Sequence, residues 1–519
     1  MIALYQTKFF KSIYISGFVA CLCLTSCNKT VDEPDASINT PSELDENAGN
    51  WKPYLLASSS EIDVSAPADV SSAEYLDEVK KLKETMVTIT PEQREQVYYW
   101  GAGAAFRWNE IARELAARYN SPPASGADGK YPLPDGANPL ADPKFPFANP
   151  PYTSRMLAYL SVAQYDALVS AWHYKFKYNR KAPSKADGSI KAILPVSELP
   201  SYPSEDAVVA EASFLVLKAM FPGEVPFLEG KLAQHKNSRL LAGTNVNSDI
   251  LAGAALGKAV GEKVMARAKT DGMGAANDQS KTAGMIDNAR KIGITDPWMS
   301  QESPKRPAML PTFGFVTPWN FDKQTVIALR PSPPPAIGSA EFEKDMNELL
   351  DIAKNQTREQ ARIASFWSDG VGSYTPPGHW FRRAANLCHE NKFSEVRTAR
   401  TFALLGTAVQ DAGICCWDAK YYYYYPRPNQ MSRRVKTSVG LPNFPSFTSG
   451  HSMFSGAAAE VLAHIFPEEA EKLNAMAVEA SVSRMYGLIH YRFDCEVGLQ
   501  VGHKVGRYAV ERAKTDGAE

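Results

Sequence analysis

The chain lacks most of what would assign it to a simple class. Beyond the first 26 residues no apolar run is long enough to cross a bilayer. The alternation that marks strands is scarce, and the formal charge of −1 over 519 residues offers nucleic acid no general attraction. Cysteine is sparse: of seven, Cys21, Cys23 and Cys27 fall at the N-terminal end, leaving Cys388, Cys415, Cys416 and Cys495. Four scattered cysteines in so long a chain do not make a disulfide scaffold, so free buried thiols are expected, with one bridge from Cys388 as the alternative. No second His/Cys pair at zinc-like spacing accompanies Cys388 and His389, which reads as structural; neither zinc, haem nor a nucleotide is expected. A hydrophobic content of 44% with 22% charged residues argues against disorder or a fibre.

Residues 1–26 read as an export leader: Lys8 and Lys11, an apolar stretch from Ile13 to Leu24, then Leu24-Thr25-Ser26-Cys27. The stretch is shorter than the ~20 residues of a spanning helix. The tetrapeptide resembles a bacterial lipobox, which implies cleavage before Cys27, a lipid anchor on it, and an exported, membrane-tethered lipoprotein. Residues 27–80, rich in Ser, Asp, Glu and Pro, are expected to be a flexible tether.

The remainder carries helical periodicity, as in Arg155 to Lys177, Ala207 to Phe221, Ile250 to Lys269, Arg358 to Trp367, Arg400 to Lys420, Ser452 to Phe466 and Val497 to Lys514. The expected class is all-α. A self-comparison divides it: Arg155, Asp166, Trp172, Lys175 and Pro183 match Arg400, Asp411, Trp417, Lys420 and Pro428, each 245 positions apart. Ser238-Arg239 matches Ser483-Arg484 at the same shift, and Thr90, Gln93 and Trp100 match Thr357, Gln360 and Trp367 at a shift of 267. Two similar helical bundles from an internal duplication follow, 81–330 and 331–519, joined by a Pro-rich crossing segment.

Only the second bundle keeps three chemical motifs: Lys420 with Arg427-Pro428, Pro445-Ser446-Phe447-Thr448-Ser449-Gly450-His451, and Ser483-Arg484 with His490 and Asp494. Lysine and two arginines form a clamp for a tetrahedral oxyanion, and Ser449-Gly450 reads as a helix start whose amides face the anion. Charge pairs such as Lys420 and Arg427 often lie on a solvated helix face, but Pro426 and Pro428 deny Arg427 a helix and fix its direction. His490 is the better nucleophile or ligand, because Asp494 four residues on would share its helical face and fix the ring tautomer. His451 is the better acid. The first bundle has Ala182, Glu205, Asp206 and Asn245 at the positions of Arg427, Gly450, His451 and His490, so its role is read as structural. The run Tyr421 to Tyr425 reads as the aromatic face of a packed helix. His173, His235, His464 and His503 read as surface or satisfied core side chains, and His379 as a candidate for the pocket rim.

In this order the motifs resemble the vanadium-dependent haloperoxidase and type 2 phosphatidic acid phosphatase (PAP2) superfamily. The resemblance implies vanadate, or phosphate in the same site, clamped by Lys420, Arg427 and Arg484 and hydrogen-bonded by Ser449 and Gly450. It makes His451 the acid/base and His490 the vanadium ligand or the phosphohistidine nucleophile. Trp417, Phe444, the string His490-Tyr-Arg-Phe-Asp494, and Trp367-Ser-Asp369-Gly370 are similar to the haloperoxidase branch, in which the aspartate, here Asp369, pairs with the second arginine, here Arg484. In one respect the chain departs: the stretch between His451 and Arg484 is compact where characterised chloroperoxidases carry an insertion.

The expected function is therefore a vanadate-dependent haloperoxidase-like enzyme using hydrogen peroxide to oxidise halide. The alternatives are a PAP2-type acid phosphatase acting on small phosphate esters through a phosphohistidine, and a non-catalytic oxyanion-binding envelope lipoprotein.

Overall fold

The computed structural model describes residues 36–132 and 148–519. The leader and Cys27 lie outside the described residues. Among the described residues fourteen principal helices form two matching sets of seven. The first set is α1 (Ala73–Val87), α2 (Pro91–Trp100), α3 (Ala104–Tyr119), α4 (Pro150–Tyr178), α5 (Glu205–Met220), α6 (Val225–Leu241) and α7 (Asn247–Ala268). The second is α8 (Ala340–Asn355), α9 (Arg358–Phe366), α10 (Thr375–Glu390), α11 (Glu395–Tyr423), α12 (Gly450–Ile465), α13 (Ala470–Tyr486) and α14 (Arg492–Ala513). Short helical pieces fill the connections. No β-strand occurs among the described residues, and no helix there is long and apolar enough to cross a membrane.

From α4 to α7 each helix begins and ends 245 residues before its counterpart, the register already visible in the side chains. The local causes repeat too. Thr90 and Thr357 each form a capping box, with Gln93 and Gln360, at the start of α2 and α9. Asn179 and Tyr424 each end a 29-residue helix in the left-handed conformation.

The two long helices α4 and α11 pack against each other with nearly every side chain buried, and α3, α5, α7, α10, α12 and α14 pack directly on this pair. Close approach of α12 and α14 depends on small residues: a Cβ on Gly502 would meet the Met453 carbonyl oxygen at 2.5 Å. Gly257 stands in the same relation to the Val208 carbonyl between α5 and α7. Buried ion pairs close each set at its C-terminal end, Arg155 to Asp271 at 2.7 Å and Arg400 to Asp516 at 2.8 Å.

Two sequence expectations need correction. The described part of the expected tether is not a tether: Trp51 is 2% exposed, and the backbone amides of Tyr54, Leu55 and Leu56 donate to the buried Asp166 carboxylate. A polar, Pro-rich composition resembles a linker, yet a buried carboxylate needs backbone donors, and this segment supplies them. Trp319 and Asn320 do the same for Asp411, the counterpart of Asp166. Nor do 81–330 and 331–519 separate as domains, because α4 and α11 share one core.

The four cysteines are free and buried, as expected of thiols without a framework. Tyr421, Tyr423, Tyr424 and Tyr425 are buried, and the hydroxyls of Tyr421, Tyr423 and Tyr425 donate to the carbonyls of Met309, Pro331 and Pro335.

Candidate active site

The three motifs meet at one end of the second set of helices. Lys420 lies in the last turn of α11; beyond it Pro426 and Pro428 hold Arg427 in extended backbone. Both side chains are fully buried and reach the carbonyls of the same strap. Lys420 Nζ donates to Pro445 O at 2.9 Å and Ser446 O at 2.8 Å, and Arg427 Nε to Phe444 O at 2.9 Å. Arg427 Nη1 also donates to Ile489 O at 2.7 Å, which ties the strap to the segment carrying His490. Phe444 lies against both cations, with Lys420 Nζ at 4.9 Å and Arg427 Cζ at 5.1 Å from its ring centre, and Trp417 packs beside it at 5.0 Å.

Ser449 caps α12, so its hydroxyl accepts from the Ser452 amide at 3.4 Å. That puts Gly450 and His451 in the first helical turn, where amides have no partner within the helix. Nothing around Gly450 demands glycine for packing, since a Cβ there would approach only Phe454, at 3.9 Å. From the end of α13, Arg484 donates through Nη2 to Ala364 O on α9 at 2.9 Å and through Nε to Ser483 Oγ at 2.8 Å.

His490 and Asp494 do not share the helical face that their spacing predicts. His490 precedes α14, and Asp494 sits in its first turn, where Oδ2 accepts from the Tyr491 amide at 3.2 Å and pairs with His490 Nδ1 at 2.8 Å. One carboxylate therefore caps the helix and orients the imidazole. Ser446, to which no role was assigned from sequence, donates its hydroxyl to the same oxygen. With Nδ1 engaged, His490 Nε2 is directed toward Arg427 Nη1, 3.5 Å away, too far for a strong hydrogen bond.

A cavity of about 250 Å³ opens at this point, with Gly450, His451, Arg484 and His490 at one end. Lys420, Arg427 and Ser449 stand behind that end, held by the bonds above. Trp417, Phe444 and Asp369 also line the cavity.

Asp369 does not pair with Arg484. Its Oδ1 lies 3.1 Å from His379 Nδ1, and it acts on Arg484 through its charge alone. His379 in turn stacks on Trp367 at 4.3 Å, so its nearness to the site is indirect. Asn120 at the end of α3 was invisible to motif reasoning, but its side chain holds the Gly370 and Ser373 carbonyls and so fixes the Asp369 loop.

The electrostatics follow from burial. It pushes Lys420 down to about 7 and Arg427 and Arg484 down to about 10. Both imidazoles fall well below their ordinary range, through burial first and then through neighbouring cations: Arg484 for His451, Arg427 and Lys420 for His490. Both are neutral bases at pH 7. Asp494 is raised to about 7 by burial. Among the described residues none of the three cations has a carboxylate partner, and His451 Nε2 is buried without a hydrogen-bond partner. Uncompensated cations, unpartnered nitrogen and free helix amides converge on one place, and what satisfies all of them is a small oxyanion.

The class follows from the segment that carries these motifs. Residues 401–514 match the PAP2 superfamily model. No curated protein matches the chain. Among solved structures, the first bacterial vanadium-dependent iodoperoxidase is similar at 22% identity, over 82% of this chain and 97% of that one, with a TM-score of 0.56. Apo and holo forms of a bacterial vanadium-dependent chloroperoxidase are similar at 12% and 13% identity, with TM-scores of 0.49 and 0.48, over 71% and 72% of this chain and 94% of theirs. The chain thus has the all-α fold of the iodoperoxidase.

Proposed function

We propose that the chain is a vanadate-dependent haloperoxidase-like enzyme that oxidises halide with hydrogen peroxide. The observation that carries this reading is the His490 pair: Nδ1 on buried Asp494 leaves the Nε2 lone pair facing the cavity and three cations without a carboxylate partner. Vanadate fits these groups. Lys420, Arg427, Arg484 and the Gly450 amide would meet its oxygens and His490 Nε2 its metal; once bound it supplies a Lewis acid that polarises peroxide without changing oxidation state.

The chain's own groups do the rest. Asp494 holds the Nδ1 proton, so His490 presents only a lone pair. Low-lying basicity leaves His451 neutral, able to take a proton from incoming peroxide at Nε2 and to return it to departing water. The clamp draws electron density from the oxygens it binds, in a pocket where water screens little.

A second reading rests on the superfamily match and on the same cage. A phosphate monoester in this position would be attacked by His490 Nε2, with His451 protonating the leaving alcohol and water releasing the phosphohistidine.

One experiment separates them: peroxide-dependent bromination by the purified chain with vanadate, against phosphomonoester hydrolysis without it. Bromination is expected, and its absence beside brisk hydrolysis would transfer the assignment to the phosphatase. His490→Ala is expected to remove either activity by roughly 10³-fold or more. Wild-type turnover in that variant would exclude His490 from the chemistry.

A further inference from the structure

One buried hydroxyl touches both members of the pair on which the proposed site depends. Ser446 is fully buried, and its backbone is pinned on two sides: the amide donates to Tyr425 O at 2.9 Å, and the carbonyl accepts from Lys420 Nζ at 2.8 Å. Oγ meets Asp494 Oδ2 and lies 3.3 Å from His490 Nδ1. A single hydroxyl hydrogen cannot serve both. Given to His490 Nδ1, it would leave the imidazole hydrogen on Nε2, facing the guanidinium donor Arg427 Nη1 at 3.5 Å. Given to the carboxylate, it leaves Nδ1–H free to donate to the same oxygen, and Nε2 keeps its lone pair.

The first half shows what this hydroxyl replaces. There Ser201, 245 positions earlier, also donates to a helix-capping aspartate, from Oγ to Asp249 Oδ1 at 3.1 Å. Arg180 bonds that oxygen too, so the buried carboxylate has a cation of its own. In the second half the place of Arg180 is taken by Tyr425, whose hydroxyl is spent on Pro335 O at 2.8 Å. Asp494 therefore has no bonded cation. The Tyr491 amide, His490 Nδ1 and the Ser446 hydroxyl all fall on Oδ2, while Oδ1 is buried without a hydrogen-bond partner among the described residues. A carboxylate held at one oxygen turns when one of its donors is removed, and the imidazole bonded to it turns as well.

Resting on the reading that His490 Nε2 meets the vanadium, we infer that Ser446 is a positioning residue for that bond: its hydroxyl fixes the Asp494 carboxylate, and through it the direction in which His490 presents its lone pair. Ser446 is not among the residues that line the cavity, so it acts on a bound anion only through the histidine. Its effect is confined to ligands that His490 bonds. Phosphate in its tetrahedral form is held by the clamp and the helix amides, with no bond to nitrogen, whereas vanadate takes nitrogen as a further ligand. The two anions are alike in shape, and the difference between them isolates the imidazole.

The test is titration calorimetry of the full chain with orthovanadate and with inorganic phosphate. The wild type should bind vanadate more tightly than phosphate; equal affinities would remove the bond between His490 and vanadium, and this inference with it. Given that preference, Ser446→Ala should weaken vanadate binding by about 10–100-fold, the range for outer partners of a metal-bound histidine, and leave phosphate affinity at its wild-type value. An equal loss for both anions would make Ser446 a residue that only holds the strap. Unchanged vanadate binding would mean that the Tyr491 amide and His490 suffice to fix the carboxylate. Either result overturns the inference while leaving the wild-type preference, and the reading built on it, intact. Thermal melting shows whether the variant is folded. Should alanine not be tolerated, Ser446→Cys, whose thiol donates only weakly, is expected to give the same selective loss and is judged by the same two outcomes.

Discussion

The two halves hold nearly the same cations and treat them oppositely. In the first, Lys175 pairs with Glu205 at 2.6 Å, while Asp206 lies 2.9 Å from His235 and 3.7 Å from Arg239. Against its burial, the charges of Arg239 and His235 hold Asp206 at about 2. A cavity of about 170 Å³ remains, lined by Glu205, Asp206, Arg239 and Asn245 and closed from the other half by Glu395. Glu205 and Asp206 stand where the second half has Gly450 and His451. A buried cation needs a counter-charge: the first half carries its own on the chain, and the second leaves it to be supplied from outside. On the proposed reading, an oxyanion site needs more than the scaffold with Lys175 and Arg239: it needs those charges left unpaired.

The widest break in that contrast would come from grafting. Gly450→Glu with His451→Asp places the first half's acids beside Lys420 and Arg484, and oxyanion affinity is expected to fall by about 10²–10³-fold, the scale of a filled charge partner. Titration calorimetry with vanadate reads the affinity, and thermal melting should show the fold retained. Undiminished binding in the double variant would mean that the acids of the first half are not what closed its site.

A smaller effect separates two aspartates at equivalent positions, Asp249 and Asp494, both in the first turn of a helix and both caps. Asp249 is bonded to Arg180, so its charge is spent on structure. Asp494→Asn should cost about 10–100-fold in turnover, since the orientation and basicity of His490 depend on the carboxylate. Asp249→Asn should lower the melting temperature and leave kcat per folded molecule alone. Equal losses of kcat from both substitutions would make Asp494 a capping residue only.

Much of this is legible in the amino-acid sequence. Helices came from periodicity, and the repeat from a constant shift, because side chains that close a buried ion pair, such as Arg155 and Arg400, cannot drift. The clamp and the two histidines were legible because their chemistry is spelled in short motifs. What was hidden depended on long-range partners. Nothing in the Ser- and Pro-rich stretch before residue 73 says that Tyr54, Leu55 and Leu56 satisfy Asp166. Equally, nothing near Asp369 reveals that His379 holds it rather than Arg484, or that Asn120 from the other half fixes its loop. The spacing of His490 and Asp494 suggested one helical face, whereas the helix begins between them.

The finest test of the comparison is its pH dependence, through the lysine that both halves retain. Lys420, without a carboxylate partner, is pushed by burial from 10.5 down to about 7. Below that pH the clamp is fully charged; above it the amine is neutral and the pull on an anion weakens. Oxyanion affinity should therefore decline by up to roughly tenfold per unit as pH rises past 7, and binding should take up a proton, because a bound anion favours the charged amine. Calorimetry in buffers of different ionisation enthalpy measures that uptake directly. For the empty fold the sign is opposite. A depressed lysine pKa lends stability at high pH that is lost as pH falls through about 7, since the unfolded chain takes the proton first; Asp494, raised to about 7, contributes stability at low pH that is lost on the way up. Lys420→Arg keeps the charge at every pH and should flatten the binding profile. A profile as steep as that of the wild type would place the titrating group elsewhere, and a flat one would mark Lys420 as the residue whose unmet charge distinguishes this half from the one where Glu205 has already answered it.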